Sequence, residues 1–155
     1  MPNLTVATII MKDRANVLLV KPNEGPDDNL WAIPEGIVAE GETVRNACIR
    51  SVKEALGLDI EPKMTLFICE RVVPNDHRLG IFVLAEPILL TELNEGFGQG
   101  EMLILKNGLE EARWIGVRSL GELQKKEGMS EFTIDAFVKF SNFLRSQMPT
   151  SGTVN

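Results

Sequence analysis

Residues 31–58, WAIPEGIVAEGETVRNACIRSVKEALGL, hold the side chains whose types and spacing can do chemistry. Gly36 is followed after five residues by Glu42, after seven more by Arg50, and then by Glu54 and the pair Gly57-Leu58. Carboxylates can move protons or hold hard cations through oxygen. A guanidinium pairs with carboxylates and phosphates through a planar fork of donors. Positions three and four apart on a helix share a face, so the residues at 51, 54 and 55 are presented together.

The elements that must place these residues are a short strand over 30–33, a loop, and one helix. Pro34, Gly36 and Gly41 punctuate the loop. Thr43 suits the N-cap, where its hydroxyl can accept from an otherwise unpaired backbone N–H, and Gly57 suits the left-handed position just past the helix end. At about 100° per residue, Val44, Ala47, Cys48, Val52 and Leu56 form an apolar stripe. Ala55 falls within that stripe, Ser51 at its edge, and Glu54 on its flank beside Arg50. By this pattern alone the helix is amphipathic, with Glu54 either solvated or paired with Arg50.

The spacing resembles the Nudix box, G-x5-E-x7-R-E-U-x-E-E-x-G-U with U aliphatic. Gly36, Glu42, Arg50, Val52, Glu54, Gly57 and Leu58 fall in place, while Ser51 and Ala55 stand where the pattern has Glu. The resemblance implies an α+β fold, an α/β/α sandwich with a mixed sheet. It also implies a pyrophosphohydrolase that splits a nucleoside diphosphate linked to a second group, using Mg2+ or Mn2+. Family members usually bind metal through Glu at all three positions that here read Ser51, Glu54 and Ala55, so the expected metal site is impaired or atypical, with weak or absent binding. Arg50 and Glu42 would brace the loop on the helix. The implied catalytic set is Glu54, Arg50 and Glu42, the metal set Glu54 and Glu40, and Gly36 a substrate-binding position. The alternative is a catalytically inactive Nudix domain that binds a nucleotide or nucleotide sugar as a regulatory module.

Other residues bear on that choice. Glu35 precedes Gly36, Glu95 and Glu101 flank the GFGQG segment, and Glu110 and Glu111 open a strand. Any of them could supply a substitute ligand or base, although a solvated surface charge is the plainer reading of each. Arg78, beside the only histidine, His77, is a substrate-binding candidate because Arg favours phosphate, or else a surface turn residue. Trp31 either stacks on a base or packs in the sheet.

The rest of the chain reads as a scaffold. Strands are expected over 4–11, 17–20, 64–73, 77–85 and 109–115, the third and fourth forming a hairpin around 74–76. Residues 59–63 connect, 87–100 form a long irregular loop, and 102–105 are short and apolar. A short helix is expected over 117–126. A long one over 131–147 carries Phe132, Ala136, Phe137, Phe140, Phe143 and Leu144 on one face, as core packing. Residues 1–148 read as one domain and 149–155 as a disordered tail.

Composition narrows the class. The 155 residues are 44% hydrophobic and 25% charged, as in soluble globular domains. A net charge of −6 argues against nonspecific binding to nucleic acid or anionic membrane. The partner that the Nudix resemblance implies is a small nucleotide derivative, and a homodimer is left open. Two cysteines, Cys48 and Cys69, give neither a disulfide framework nor zinc spacing and read as buried small residues. No basic-then-apolar leader or apolar run of about 18 residues is visible, which points to the cytoplasm.

Overall fold

The computed structural model describes residues 3–23, 29–88, 105 and 109–147. Among these residues six strands and three α-helices run in the order β1 (Asn3–Lys12), β2 (Asn16–Pro22), β3 (Glu35–Ile37), α1 (Val44–Leu56), β4 (Ile60–Val73), β5 (Asp76–Pro87), β6 (Leu109–Gly116), α2 (Leu120–Glu127) and α3 (Glu131–Gln147). The sheet order is β4-β5-β1-β2-β6, with β3 added against β1. The β1–β5 pair is parallel and the other pairs are antiparallel, so the sheet is mixed.

β1 is apolar and β-branched because it is buried on both faces: residues 5–10 are all buried. On one face Ala47, Cys48, Val52 and Leu56 of α1 pack with Val6, Ile10, Leu18, Val20, Val83 and Ala85. On the other, Leu123, Ala136 and Phe140 of α2 and α3 pack with Ala7, Ile9, Val17, Leu19, Trp31 and Phe82. One sheet between two helical layers is the expected α/β/α sandwich.

Several expected elements shift. The strand at 30–33 is absent; Ala32 and Trp31 make only isolated bridges to Val20 and Met129. The strand forms three residues later, where Glu35, Gly36 and Ile37 lie opposite Ala7, Val6 and Thr5. The entering segment is fixed by hydrogen bonds to several elements in turn. Ala32 exchanges two 2.8 Å bonds with Val20, the Ile33 N–H donates to Thr133 Oγ1 at 3.1 Å, and the Pro34 carbonyl accepts from Thr8 at 2.9 Å. β4 begins at Ile60 instead of 64, because the expected connector pairs with β5 from Ile60↔Pro87 onward. A 3-10 turn, Val117–Ser119, precedes α2 and delays its start. Cys69 is only half-buried, and among the described residues its strand β4 pairs with β5 alone. Residues 89–104 and 148–155, with the expected loop, the 102–104 part of the apolar stretch and the tail, lie outside the described residues.

Candidate functional site

The helix that carries the box is held at both ends. Thr43 has extended backbone angles, and its hydroxyl accepts from the Asn46 N–H at 3.1 Å. Gly57 takes φ 67°, and its N–H donates to the Lys53 carbonyl, the left-handed cap that favours glycine. Between β3 and the helix the chain turns through Gly41, at φ 77°. The Glu42 carboxylate closes this turn by accepting from the Ala39 N–H at 3.0 Å.

Arg50 ties that loop to the helix. Its Nε donates to Glu42 Oε2 at 2.7 Å and its Nη2 to Glu42 Oε1 at 2.9 Å, a two-point fork. Nη2 also donates to the Ile37 carbonyl at 2.8 Å, and Nη1 to Glu54 Oε1 at 2.8 Å. The Arg50 bond, followed by the Ala39 N–H, holds the Glu42 carboxyl at about 2, well below its ordinary 4.5. One guanidinium therefore joins strand, loop and helix. The backbone partners, Ile37 carbonyl and Ala39 N–H, left no signal in the sequence, because every residue carries these groups.

Gly36 has a packing duty. A Cβ at this position would fall on Ser51 Cβ, with Ser51 Oγ only 2.8 Å away. The helix thus approaches β3 at the one residue that lacks a side chain. Ser51 sits in this contact, half-buried, with its hydroxyl donating to the Cys48 carbonyl at 3.3 Å. Ala55, one turn on, is half-buried and packs on the α1-side core. The stripe inferred from the helical wheel is the face that is buried, with Val44 also half-buried against it.

The proposed metal ligands are placed differently. Glu54 is 56% exposed and engaged by Arg50 as an i,i+4 pair. Glu40 is exposed on the turn before Gly41. Among the described residues no three of His, Cys, Asp or Glu converge on a cluster that could hold a metal ion. Mg2+ asks for several oxygen ligands in near-octahedral array, and one helix carboxylate does not fit that requirement. Glu95 and Glu101 lie outside the described residues. Glu111 is taken by Arg113 at 2.6 Å, and Glu110 is exposed on the edge strand β6.

Arg78 and Gly36 look to opposite faces of the sheet. Gly36 faces α1. Arg78 lies two residues before Gly80, whose missing Cβ would meet Phe132 of α3 at 3.0 Å. Arg78 is flanked by Asp76, 3.0 Å from Nε, and Glu35, 3.5 Å from Nη1. His77 pairs with Glu70 on the hairpin. Trp31 is fully buried, so its place is in the core. Its indole Nε1 donates to Glu127 Oε1 at 3.2 Å, with the Lys21 and Arg113 cations over the ring at 4.7 and 4.9 Å.

A family model described as NUDIX domain matches residues 1–136. The NAD-capped RNA hydrolase NudC of Stutzerimonas stutzeri (strain A1501) is 24% identical over 137 residues, covering 88% of this chain and 45% of that protein. The chain therefore spans less than half the length of this relative. The crystal structure of a MutT NUDIX hydrolase from Burkholderia pseudomallei is similar with a TM-score of 0.72 at 19% identity, over 90% of this chain and 98% of that one. The NUDIX domain of Shewanella oneidensis NrtR, solved as a complex with ADP ribose, is similar with a TM-score of 0.69 at 15% identity, over 93% and 89%. These structural likenesses speak to the fold, and it is the fold built above. With a family model spanning residues 1–136 and the box geometry in place from Gly36 to Gly57, the chain belongs to the Nudix family.

Proposed function

We propose that this chain is a pyrophosphohydrolase of a nucleoside diphosphate-linked compound with an impaired metal site. The observation that carries the reading is the division within α1. The Arg50–Glu42–Ile37 brace is complete, while positions 51 and 55 offer a serine in a close contact and an alanine on the core. The brace keeps the loop in shape for a diphosphate. Glu54 and Glu40 are the residues that would hold a divalent cation. Such a cation, when bound, supplies charge stabilisation at phosphate oxygens. Among the described residues the oxygen donors fall short of what such a cation needs. Removing one stabiliser of transition-state charge commonly costs about 10² to 10³ in rate. The expected turnover is correspondingly low.

The ligand is read as a small nucleotide derivative, in keeping with a net charge of −6, although the NudC relative is named for an RNA substrate. Among the described residues no helix is long and apolar enough to cross a membrane. The test is hydrolysis of ADP-ribose and related diphosphates with Mg2+ or Mn2+, in wild type and in Ser51→Glu with Ala55→Glu. Weak wild-type turnover, with tighter metal binding and at least ten-fold faster turnover in the double variant, is the expected result. Wild-type rates that the double variant does not raise would sink the impaired-site reading.

A second reading is favoured by one observation: Glu54 is already committed to Arg50 and exposed. On that reading the chain binds its nucleotide without consuming it, as a regulatory module. Nucleotides would then raise the melting temperature while remaining intact by chromatography.

A further inference from the structure

The end of the β4–β5 hairpin carries apolar side chains that α1 leaves uncovered. Residues directly opposite in an antiparallel pair project to one face, and the face alternates along each strand. Ile68 pairs with Ile81, Glu70 with Leu79, and Val72 with His77. Between Leu79 and Ile81, Gly80 is turned to α3, where an added Cβ would meet Phe132 at 3.0 Å. The six paired residues therefore lie on the α1 side, and Ile81 packs against the α1-side core. α1 covers that side further along, at Ile60, Val83 and Ala85. Ile68 and Val72 stay 55% and 67% exposed, with Leu79 and Ile81 half-buried beside them.

A single exposed aliphatic residue is ordinary, but four together on paired strands mark a contact surface. Pro62, Lys63 and two register shifts guard the edge of β4, so this surface does not serve an added strand. It suits a second apolar sheet face laid on top of it. The polar members of the face choose the occupant. Glu70 Oε2 and His77 Nε2 pair with each other, so the carboxylate on this face is already matched by a donor. Two copies of a chain with net charge −6 repel each other, and here they can meet with that carboxylate satisfied. The pair is also self-complementary. A two-fold axis lying between the two side chains sets Glu70 of one copy over His77 of the other, acceptor to ring N–H. The four aliphatic side chains then cover one another across the axis.

We propose that this hairpin face is where two copies of the chain associate, about a two-fold axis between Glu70 and His77. A hairpin face is small against the roughly 800 Å² per partner of a standard interface, so the dimer is reversible and concentration-dependent.

The experiment is sedimentation of the full chain across a concentration series. Wild type should pass from monomer to dimer as concentration rises. Ile68→Lys and Val72→Lys place cations in the apolar contact at positions open to solvent. Melting temperatures of the diluted chains should hold, while dimerisation weakens by about ten-fold or more, about 1.4 kcal/mol. Val72→Thr, which keeps the shape, should weaken it in the same direction. Val138→Lys, at a 57% exposed apolar site on α3, should leave it unchanged. Glu70→Lys and His77→Glu each bring like charges together across the axis, so each chain alone should stay monomeric. Mixed in equal amounts, the two should form a dimer, since each supplies the charge that the other lacks. A wild type that stays monomeric at every concentration overturns the proposal. So does a dimer that the Ile68 and Val72 variants leave intact, one that Val138→Lys weakens equally, or a mixture that stays monomeric.

Discussion

At the scale of single residues, Glu42 and Gly36 show how narrow the tolerances in the box are. Glu42 is held at about 2 against an ordinary 4.5 because Arg50 and the Ala39 N–H favour its charged form. A carboxylate depressed on folding stabilises the protein fully above its unfolded value and loses that contribution as pH falls through its folded value. Wild type should therefore lose melting temperature between about pH 4.5 and 2 relative to Glu42→Gln, with the two curves converging near pH 2. Parallel curves across that window would show that the brace does not contribute to stability. Gly36→Ala sets a Cβ onto Ser51, an overpacking that costs about 1–3 kcal/mol. The expected drop in melting temperature is about 2–4 °C for each kcal/mol in a domain of this size. Pairing Gly36→Ala with Ser51→Gly, which empties the opposing site, should recover part of the loss. By contrast Glu54, exposed in an i,i+4 pair, contributes about 0–1 kcal/mol, so Glu54→Gln should barely move stability.

At the scale of elements, the segment at 29–34 matters more than its lack of regular structure suggests. It links β2 and β1 by backbone bonds and α3 through the Thr133 hydroxyl, and sets where β3 begins. Thr133 is the contact most open to test. Its Oγ1 accepts from the Ile33 N–H and from Ser130 Oγ, and the residue is 1% exposed. Thr133→Val keeps the shape and leaves a buried N–H without its acceptor, which costs about 1–3 kcal/mol. Urea denaturation should show that loss with an unchanged m-value. Amide exchange at Ile33 should rise more than at Val6. Equal stability would mean that the segment is held by packing alone. The edge strands also show their function. Among the described residues β4 and β6 end the sheet; β4 carries Pro62, Lys63 and two register shifts, and β6 carries Glu110, Glu111 and Arg113, devices that discourage strand addition at an edge.

At the scale of the whole molecule, two cores share one sheet, and Trp31 closes the α2–α3 side. Its ring is fully buried, and Glu127 receives its indole N–H together with Lys21 and Arg113. Trp31→Ala removes one of the largest side chains in that core and should cost about 3–5 kcal/mol. A melting temperature lower by roughly 10 °C is expected, without a selective loss of any one ligand. A ligand-specific loss at unchanged stability would return Trp31 to a binding role.

The order of elements, the amphipathic face of α1, both of its caps and the partnership of Arg50 with Glu42 were legible from the sequence. They depend on period, cap chemistry and spacing, all local in the chain. The span of α3 was legible for the same reason, since its phenylalanines recur at helical spacing. The start of β3 was not. It depends on hydrogen bonds that the 32–34 segment exchanges with Thr8, Val20 and Thr133, none of them near it in sequence. Nor could spacing reveal that Gly36 is a packing contact for Ser51, or that Arg78 shares a sheet face with Glu35 and not with Gly36. Those relations follow from strand pairing and from the distance between helix and sheet. Box residues are recognised one after another along the chain. What each one faces is decided only when the sheet closes around β1.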